Sequence, residues 1–426
     1  MNTPTTAGPS APSSMTTAVA PTTPFSRYQK LAVGMLAFLQ FAIILDFMIM
    51  APLGALIMPG LQISPSQFGL VVSAYAFSAC VSGLLTASFA DRFDRKKLLL
   101  FFYSGFVLGT VWCGLAQSFE SLLLARIVTG LFGGVIGSVV LAIATDLFAP
   151  QQRGRVMGFI QTAFAASQVL GLPAGLYLSN RWDWHAPFLA MAALGLAGGL
   201  VVAWRMQPVA EHLKLPQEHS PWMHLWHTVT ERRYLLSFAT TALITTGGFM
   251  LMPFSSAFLV SNLGIPLAQL PTVYLVTGLC TIVVGPLIGK AVDAFGQLRV
   301  FLFGTGMSIV MVLVYTHMGP VPLPVVVLVN ALMFVGIFSR LIPFQALAST
   351  IPKPQQRGAF NAIGASVQQL AGGIASVVAG HIVSFGPDGR LRHFEVAGYV
   401  VVATSLAAAG LLFALVAMRK RASQGQ

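Results

Sequence analysis

The sequence predicts an all-α membrane protein whose twelve transmembrane helices fall into two pseudo-symmetric six-helix bundles. Three observations carry that expectation. The composition is apolar and cut into lengths that cross a bilayer, the basic residues gather on one side of those lengths, and two marker sequences recur about two hundred positions apart.

Hydrophobic residues make up 56% of the 426 positions and charged residues 8%, where a soluble domain carries about a quarter charged residues. A surface so poor in charge cannot be kept in water. Apolar runs of roughly 18 to 25 residues, each able to cross about 30 Å of hydrocarbon as a helix, are read at about 31–58, 68–88, 98–117, 122–148, 156–178, 187–204, 235–259, 269–289, 299–316, 322–351, 359–385 and 396–418.

The net charge of +12 raises the question of nucleic acid, and the positions of the 24 Lys and Arg answer it. Only Arg181, Arg390 and Arg392 fall on one side of the spans and Arg126 and Arg340 fall inside them, while all the others gather on the side of the N-terminus. That asymmetry is the positive-inside rule. It places both termini in the cytoplasm, gives an even number of spans in the cell inner (plasma) membrane, and accounts for the basic excess without nucleic acid.

The expected domains are a disordered cytoplasmic tail over 1–27, an N-terminal bundle over 28–204, a cytoplasmic inter-bundle loop over 205–233, a C-terminal bundle over 234–418 and a cytoplasmic tail over 419–426. The first tail is rich in Thr, Pro, Ser and Ala and leads into the first span without a small-residue cleavage pattern, so it is not read as a signal peptide. Duplication is read from two markers. Pro150-Gln151-Gln152-Arg153-Gly154 recurs 204 positions later as Pro354-Gln355-Gln356-Arg357-Gly358, and Asp91, after the second span, recurs 202 positions later as Asp293, after the eighth.

Between the second and third spans the chain reads Ala87-Ser88-Phe89-Ala90-Asp91-Arg92-Phe93-Asp94-Arg95-Lys96-Lys97. This resembles the signature loop of the major facilitator superfamily, G-x-L-a-D-r-x-G-r-k. Its two glycines are replaced here by Ala87 and Asp94, but the second copy supplies them at Gly289 and Gly296 around Asp293. The resemblance covers the chain from Tyr28 onward. It implies the major facilitator fold, transport by alternating access around a site between the halves, and a conformational latch formed by Asp91, Arg92, Arg95, Asp293, Gly289 and Gly296. A loop with topogenic duty alone is the other reading of the same residues.

Three charges lie inside the spans: Asp46 in the first, Arg126 in the fourth and Arg340 in the tenth. Each costs about 2.5–3.5 kcal/mol at a helix centre, so they should face the bundle interior or a wet cavity. In the family the first, fourth, seventh and tenth helices line that cavity. Leu45-Asp46-Phe47-Met48-Ile49-Met50-Ala51-Pro52 resembles the first-helix motif of the drug- and metabolite-exporting, proton-antiporting branch (arabinose-efflux-permease-like). Arg126-Ile127-Val128-Thr129-Gly130 matches that branch's fourth-helix R-x-x-x-G motif. The resemblance implies proton coupling through Asp46 and Arg126; a static pair joining two helices is the alternative.

Substrate-binding candidates are Arg340, Asp46, Arg126, Thr245, Gln345 and Gln369. With Asp46 ionised the three charges sum to a positive site, and arginine's planar fork suits a carboxylate or phosphate; an Arg340 satisfied by backbone carbonyls where Pro343 breaks the tenth helix is the other reading. Gly171-Leu172-Pro173-Ala174-Gly175 resembles the fifth-helix antiporter motif with its Gly-Pro pair split by Leu172.

The expected partners are a small-molecule substrate, protons and membrane lipids, for a monomer that uses the proton gradient and no cofactor. Cys80, Cys113 and Cys280 are too scattered for a metal site, and the loop residues His212, His219, His224 and His227 lack a carboxylate or Cys at ligand spacing. No phosphate-cradling glycine loop, zinc-protease motif or nucleophile elbow is present, which leaves enzymatic hydrolysis and ATP-driven pumping without support. Proton-coupled export of an acidic or amphiphilic metabolite or drug is the leading expectation. Proton-coupled uptake of an organic anion or siderophore is the second, and a non-transporting sensor or scaffold the third.

Overall fold

The computed structural model describes residues 25–86, 89–210, 213, 231–352 and 356–424. Twelve helices among them are long and apolar enough to cross a membrane: α1 Arg27–Ile49, α2 Pro65–Thr86, α3 Arg95–Cys113, α4 Phe119–Leu147, α5 Gln151–Arg181, α6 His185–Arg205, α7 Arg232–Ser261, α8 Leu267–Phe295, α9 Gln297–Thr316, α10 Leu323–Ala348, α11 Gly358–Ile382 and α12 Phe394–Met418. The tail before Phe25 and most of the inter-bundle loop, its four histidines included, lie outside the described residues.

Local chemistry sets several helix ends. Ser26 and Gln29 form a reciprocal capping box at the start of α1, with N–H···O distances of 3.0 and 3.1 Å. The repeated Pro-Gln-Gln-Arg-Gly marker acquires a structural role in its first copy. Pro150 opens a helix where its missing N–H is not needed. Arg153 donates to Phe148 O (3.1 Å) and Thr145 O (2.8 Å), which covers the last carbonyls of α4.

One boundary read from sequence is corrected here. The apolar run to residue 58 is not one helix: α1 stops at Ile49, a turn covers 50–53, and a short helix Gly54–Gly60 follows. Pro52 has no N–H to extend the ladder. In the turn Ala51 O accepts from Gly54 N at 3.1 Å and also from Ser256 Oγ of α7 at 3.0 Å.

Contacts sort the helices into α1–α6 and α7–α12, joined most extensively where α2 crosses α11. Here "terminal face" denotes the side where α1 starts and α12 ends, and "opposite face" the other. Exposed Trp204 and Trp182 mark the two ends of α6, as interfacial tryptophans do.

The largest buried apolar cluster draws on both halves and includes Ile49, Phe68, Phe254, Tyr315 and Phe394 at the opposite face. Towards the terminal face the core divides. One cluster runs from Ala32 to Val209 in the first half, and separate ones around Phe301 and Phe238 lie in the second. Hydrogen bonds that join the halves lie towards the opposite face: Ala55 N to Ser256 Oγ (3.3 Å) and Asn180 Nδ2 to Leu267 O (2.9 Å).

Glycines report the same asymmetry. A methyl group on Gly69 of α2 would stand 2.6 Å from Ser376 O of α11, and one on Gly278 of α8 3.2 Å from Gln168 O of α5. Methyl groups on Gly154 and Gly158 of α5, or on Gly285 and Gly289 of α8, would meet nothing within 4 Å. The halves are therefore sealed at the opposite face and diverge towards the terminal face.

The short antiparallel pair Ser384–Phe385 and Leu391–Arg392 folds over the sealed end between α11 and α12. Asn262, just past α7, donates to Leu391 O and accepts from Leu391 N, both at 2.8 Å, and pins it there.

Candidate functional site

Asp46 lies one turn before the end of α1, and Arg126 two turns into α4, which runs the other way. Both side chains therefore reach the same depth near the opposite face. Arg126 Nη1 donates to Asp46 Oδ2 at 2.7 Å, and Thr110 Oγ1 of α3 donates to Asp46 Oδ1 at 3.2 Å. Neither charged side chain is more than 1% exposed. A dry pair of this kind repays desolvation only through such close bonding, and removing one partner strands the other charge.

The helices come together here because small residues let them. Gly130, the last position of R-x-x-x-G, faces the Tyr75 backbone of α2, and a methyl group there would collide with Tyr75 O. Gly109 of α3 likewise accommodates the Thr129 backbone of α4. The close approach of α2 brings the Tyr75 ring under Arg126, 4.6 Å from guanidinium carbon to ring centroid. Arg126 Nε has no hydrogen-bond partner among the described residues. The Cys113 thiol stands beside Arg126 and Thr129.

Arg340 is placed elsewhere. At 1.5 Å per residue it lies about 25 Å from the opposite-face end of α10, against about 10 Å for Arg126 along α4. It turns to α9, 5.9 Å from the Phe301 ring, with Nε and Nη2 unpartnered among the described residues and 4% of its surface exposed. The expectation that all three charges converge in one chamber is corrected: the structure brings Asp46 and Arg126 together and leaves Arg340 apart.

Of the other candidates, Thr245 is buried in α7, Gln369 is half-buried in α11 and Gln345 is exposed on α10. Neighbouring Thr240, Thr241 and Thr246 donate to carbonyls of their own helix, Leu236 O, Ser237 O and Ala242 O.

In the loops where a latch is expected, Arg95 bonds Asp146 within the first half at 3.0 Å, and Arg92 is exposed; the side chain of Asp91 lies outside what is described. Asp94, standing where the family has glycine, caps α3 by accepting from Lys96 N (2.8 Å) and Lys97 N (3.1 Å). Its counterpart Gly296 joins α8 to α9 at φ +86°, a conformation that favours glycine. Asp293 is exposed, and Gly289 faces open space.

The fifth-helix motif holds a π-turn over Ser167–Gly171, closed by Leu172 N bonding to Ser167 O. Pro173 supplies no N–H for the next α-type bond, and the slack is taken up as a π-bulge. The bulge rests on Gly278 of α8, so the motif lies on the seam between the halves.

Sequence reasoning missed Thr110, Cys113 and Tyr75. Thr110 and Cys113 are three apart in α3 and so share a face, a signal that was available. Tyr75 had no signal of its own; only Gly130 hinted that a neighbouring helix would come close to Arg126.

A model of the Major Facilitator Superfamily matches residues 36–376 and again 237–426. Among curated proteins, the chain is 29% identical over 268 residues to the uncharacterised MFS-type transporter YceJ of Bacillus subtilis, covering 62% of this chain and 67% of that one. It is 30% identical over 137 residues to the multidrug resistance protein fnx1 of Schizosaccharomyces pombe, covering 32% and 26%. Among solved structures it is similar to the nucleoside transporter NupG, with a TM-score of 0.74 at 14% identity, over 91% of this chain and 99% of that one. With the family model matching most of its length and twelve spans in the matching fold, this chain belongs to the Major Facilitator Superfamily, a family of secondary transporters.

Proposed function

We propose that the protein exports a small acidic or amphiphilic organic solute in exchange for protons. Its N-terminus lies in the cytoplasm, and the described state opens towards it. The observation that carries this reading is the dry Asp46–Arg126 pair. A carboxylate that stands beside an arginine in one state and apart from it in another can load a proton in one and shed it in the other. One proton moving down about 100 mV supplies roughly 2.3 kcal/mol, enough for about a fifty-fold solute gradient. A single carboxylate is thus a sufficient coupling site.

Arg340 supports the acidic character of the solute, because its buried charge has no counter-ion among the described residues. The name of the fnx1 relative supports export. The test begins with a thermal-shift screen of the purified protein against acidic, neutral and cationic organic solutes, since ligands of the native state raise its Tm. The best stabiliser is then followed in proteoliposomes under an imposed pH gradient. Parent protein concentrates it and Asp46→Asn does not; gradient-driven transport surviving in folded Asp46→Asn would remove the carboxylate from the coupling role.

A further inference from the structure

Tyr75 belongs to no motif, yet it touches both the ion pair and the seam between the halves. Its ring lies under the Arg126 guanidinium at 4.6 Å. On another side it packs against Phe47 of α1, centroids 5.3 Å apart, and Phe47 in turn meets Phe249 of α7 at 5.7 Å. Phe249 rests on Gly372 of α11. Tyr75, Phe47 and Phe249 thus form one row of aromatic rings that starts under the charge pair and ends in the other half.

The titratable groups that face Arg126 are few: Asp46 from α1, Tyr75 from α2 and Cys113 from α3. Thr110 of α3 bonds the carboxylate but carries no charge. When Asp46 takes a proton, the guanidinium loses its anionic partner while remaining buried. The surfaces left to it are the neutral Cys113 thiol and the π face of Tyr75, and of the two the ring holds a cation better, since its quadrupole attracts the charge and more strongly where water is excluded.

We infer that Tyr75 is a positioning residue for proton coupling: its ring holds Arg126 in the state where Asp46 is protonated and passes the change to the opposite-face seam through Phe47 and Phe249. This rests on Asp46 being the proton site. The ring favours the state in which Arg126 has lost its anionic partner, so without it the conformational transition moves to lower pH. A buried cation–π contact is worth a shift of about 0.5–1.5 pH units.

The experiment needs no substrate. Nitroxide labels are placed on the full chain at Glu120→Cys and His381→Cys, exposed opposite-face positions in different halves, on a background with Cys80 and Cys280 changed to Ala. Electron–electron distances in lipid nanodiscs are followed from pH 5 to pH 9. Parent protein should part at the opposite face as pH falls. Tyr75→Leu should lower the midpoint by the stated shift, and Tyr75→Phe, which keeps the ring, should restore the parental midpoint. Tyr75→Met replaces the leucine variant if that one does not fold.

An unmoved midpoint in the variants without a ring, or a midpoint in Tyr75→Phe displaced as far as theirs, overturns the role of the π face. A transition that is absent from the parent, or that persists in Asp46→Asn, overturns the proton-site reading and this inference with it. A transition that needs Asp46 but ignores the ring overturns the inference alone.

Discussion

Substituting Gly69 with alanine tests whether the sealed opposite face is one of two alternating states. The added methyl would stand 2.6 Å from Ser376 O and 3.3 Å from the Gly380 Cα, both on α11. Neither atom belongs to a flexible side chain, so α2 and α11 must part by somewhat under 1 Å to reach ordinary contact. Overpacking of this size costs about 1–3 kcal/mol. The cost falls only on the state in which α2 and α11 touch, and it should shift the population ratio about 5- to 150-fold towards the state open at the opposite face. Gly130→Ala is the contrasting perturbation. Its methyl meets the Tyr75 backbone inside one half, so both states bear the clash, and Tm should fall with a shift in population smaller than that of Gly69→Ala. The assay is the distance distribution between labels at positions 120 and 381, read beside the melting curve. Unchanged distances in Gly69→Ala, or a population shift in Gly130→Ala as large as that of Gly69→Ala, would refute the reasoning.

Three further outcomes are expected. Arg126→Leu should lose about 3–5 kcal/mol of stability, because it strands the Asp46 charge, and the double variant with Asp46→Asn should recover much of it; chemical denaturation in detergent measures both. Asn262→Ala should free the Leu391 amide, which now bonds to the Asn262 side chain, and speed its hydrogen exchange by roughly ten- to a hundred-fold with little effect on global Tm. Gly296→Ala should cost about 1 kcal/mol, since alanine is strained at φ +86°, whereas Asp94→Ala should cost a similar amount by a different route, the loss of a helix cap; melting curves of the two variants and their double mutant should be additive.

The twelve spans were legible because length and hydropathy suffice to identify a membrane helix, and the Asp46–Arg126 pairing because buried charges have few places to go. What stayed hidden was direction. In a soluble helix the apolar stripe tells which face is inside, but α1 and α4 are apolar all round, and nothing in the chain says that Thr110 turns to Asp46 or Arg340 to Phe301. The turn after Ile49 was missed for a related reason: the hydropathy runs on past Pro52 without a dip, while the backbone does not. The π-turn at Ser167–Gly171 lay beyond reach because Pro173 dictates a missing bond but not how the preceding turn absorbs it.

Both members of the Asp46–Arg126 pair belong to the same half. A rigid rotation of one half against the other carries such a pair along unbroken, as a locked drawer travels with its cabinet. Rocking alone therefore cannot part the carboxylate from its arginine. Parting them takes a deformation inside the first half, and the interrupted end of α1, three residues beyond Asp46, is the place where the helix already lacks the bonds that would resist it.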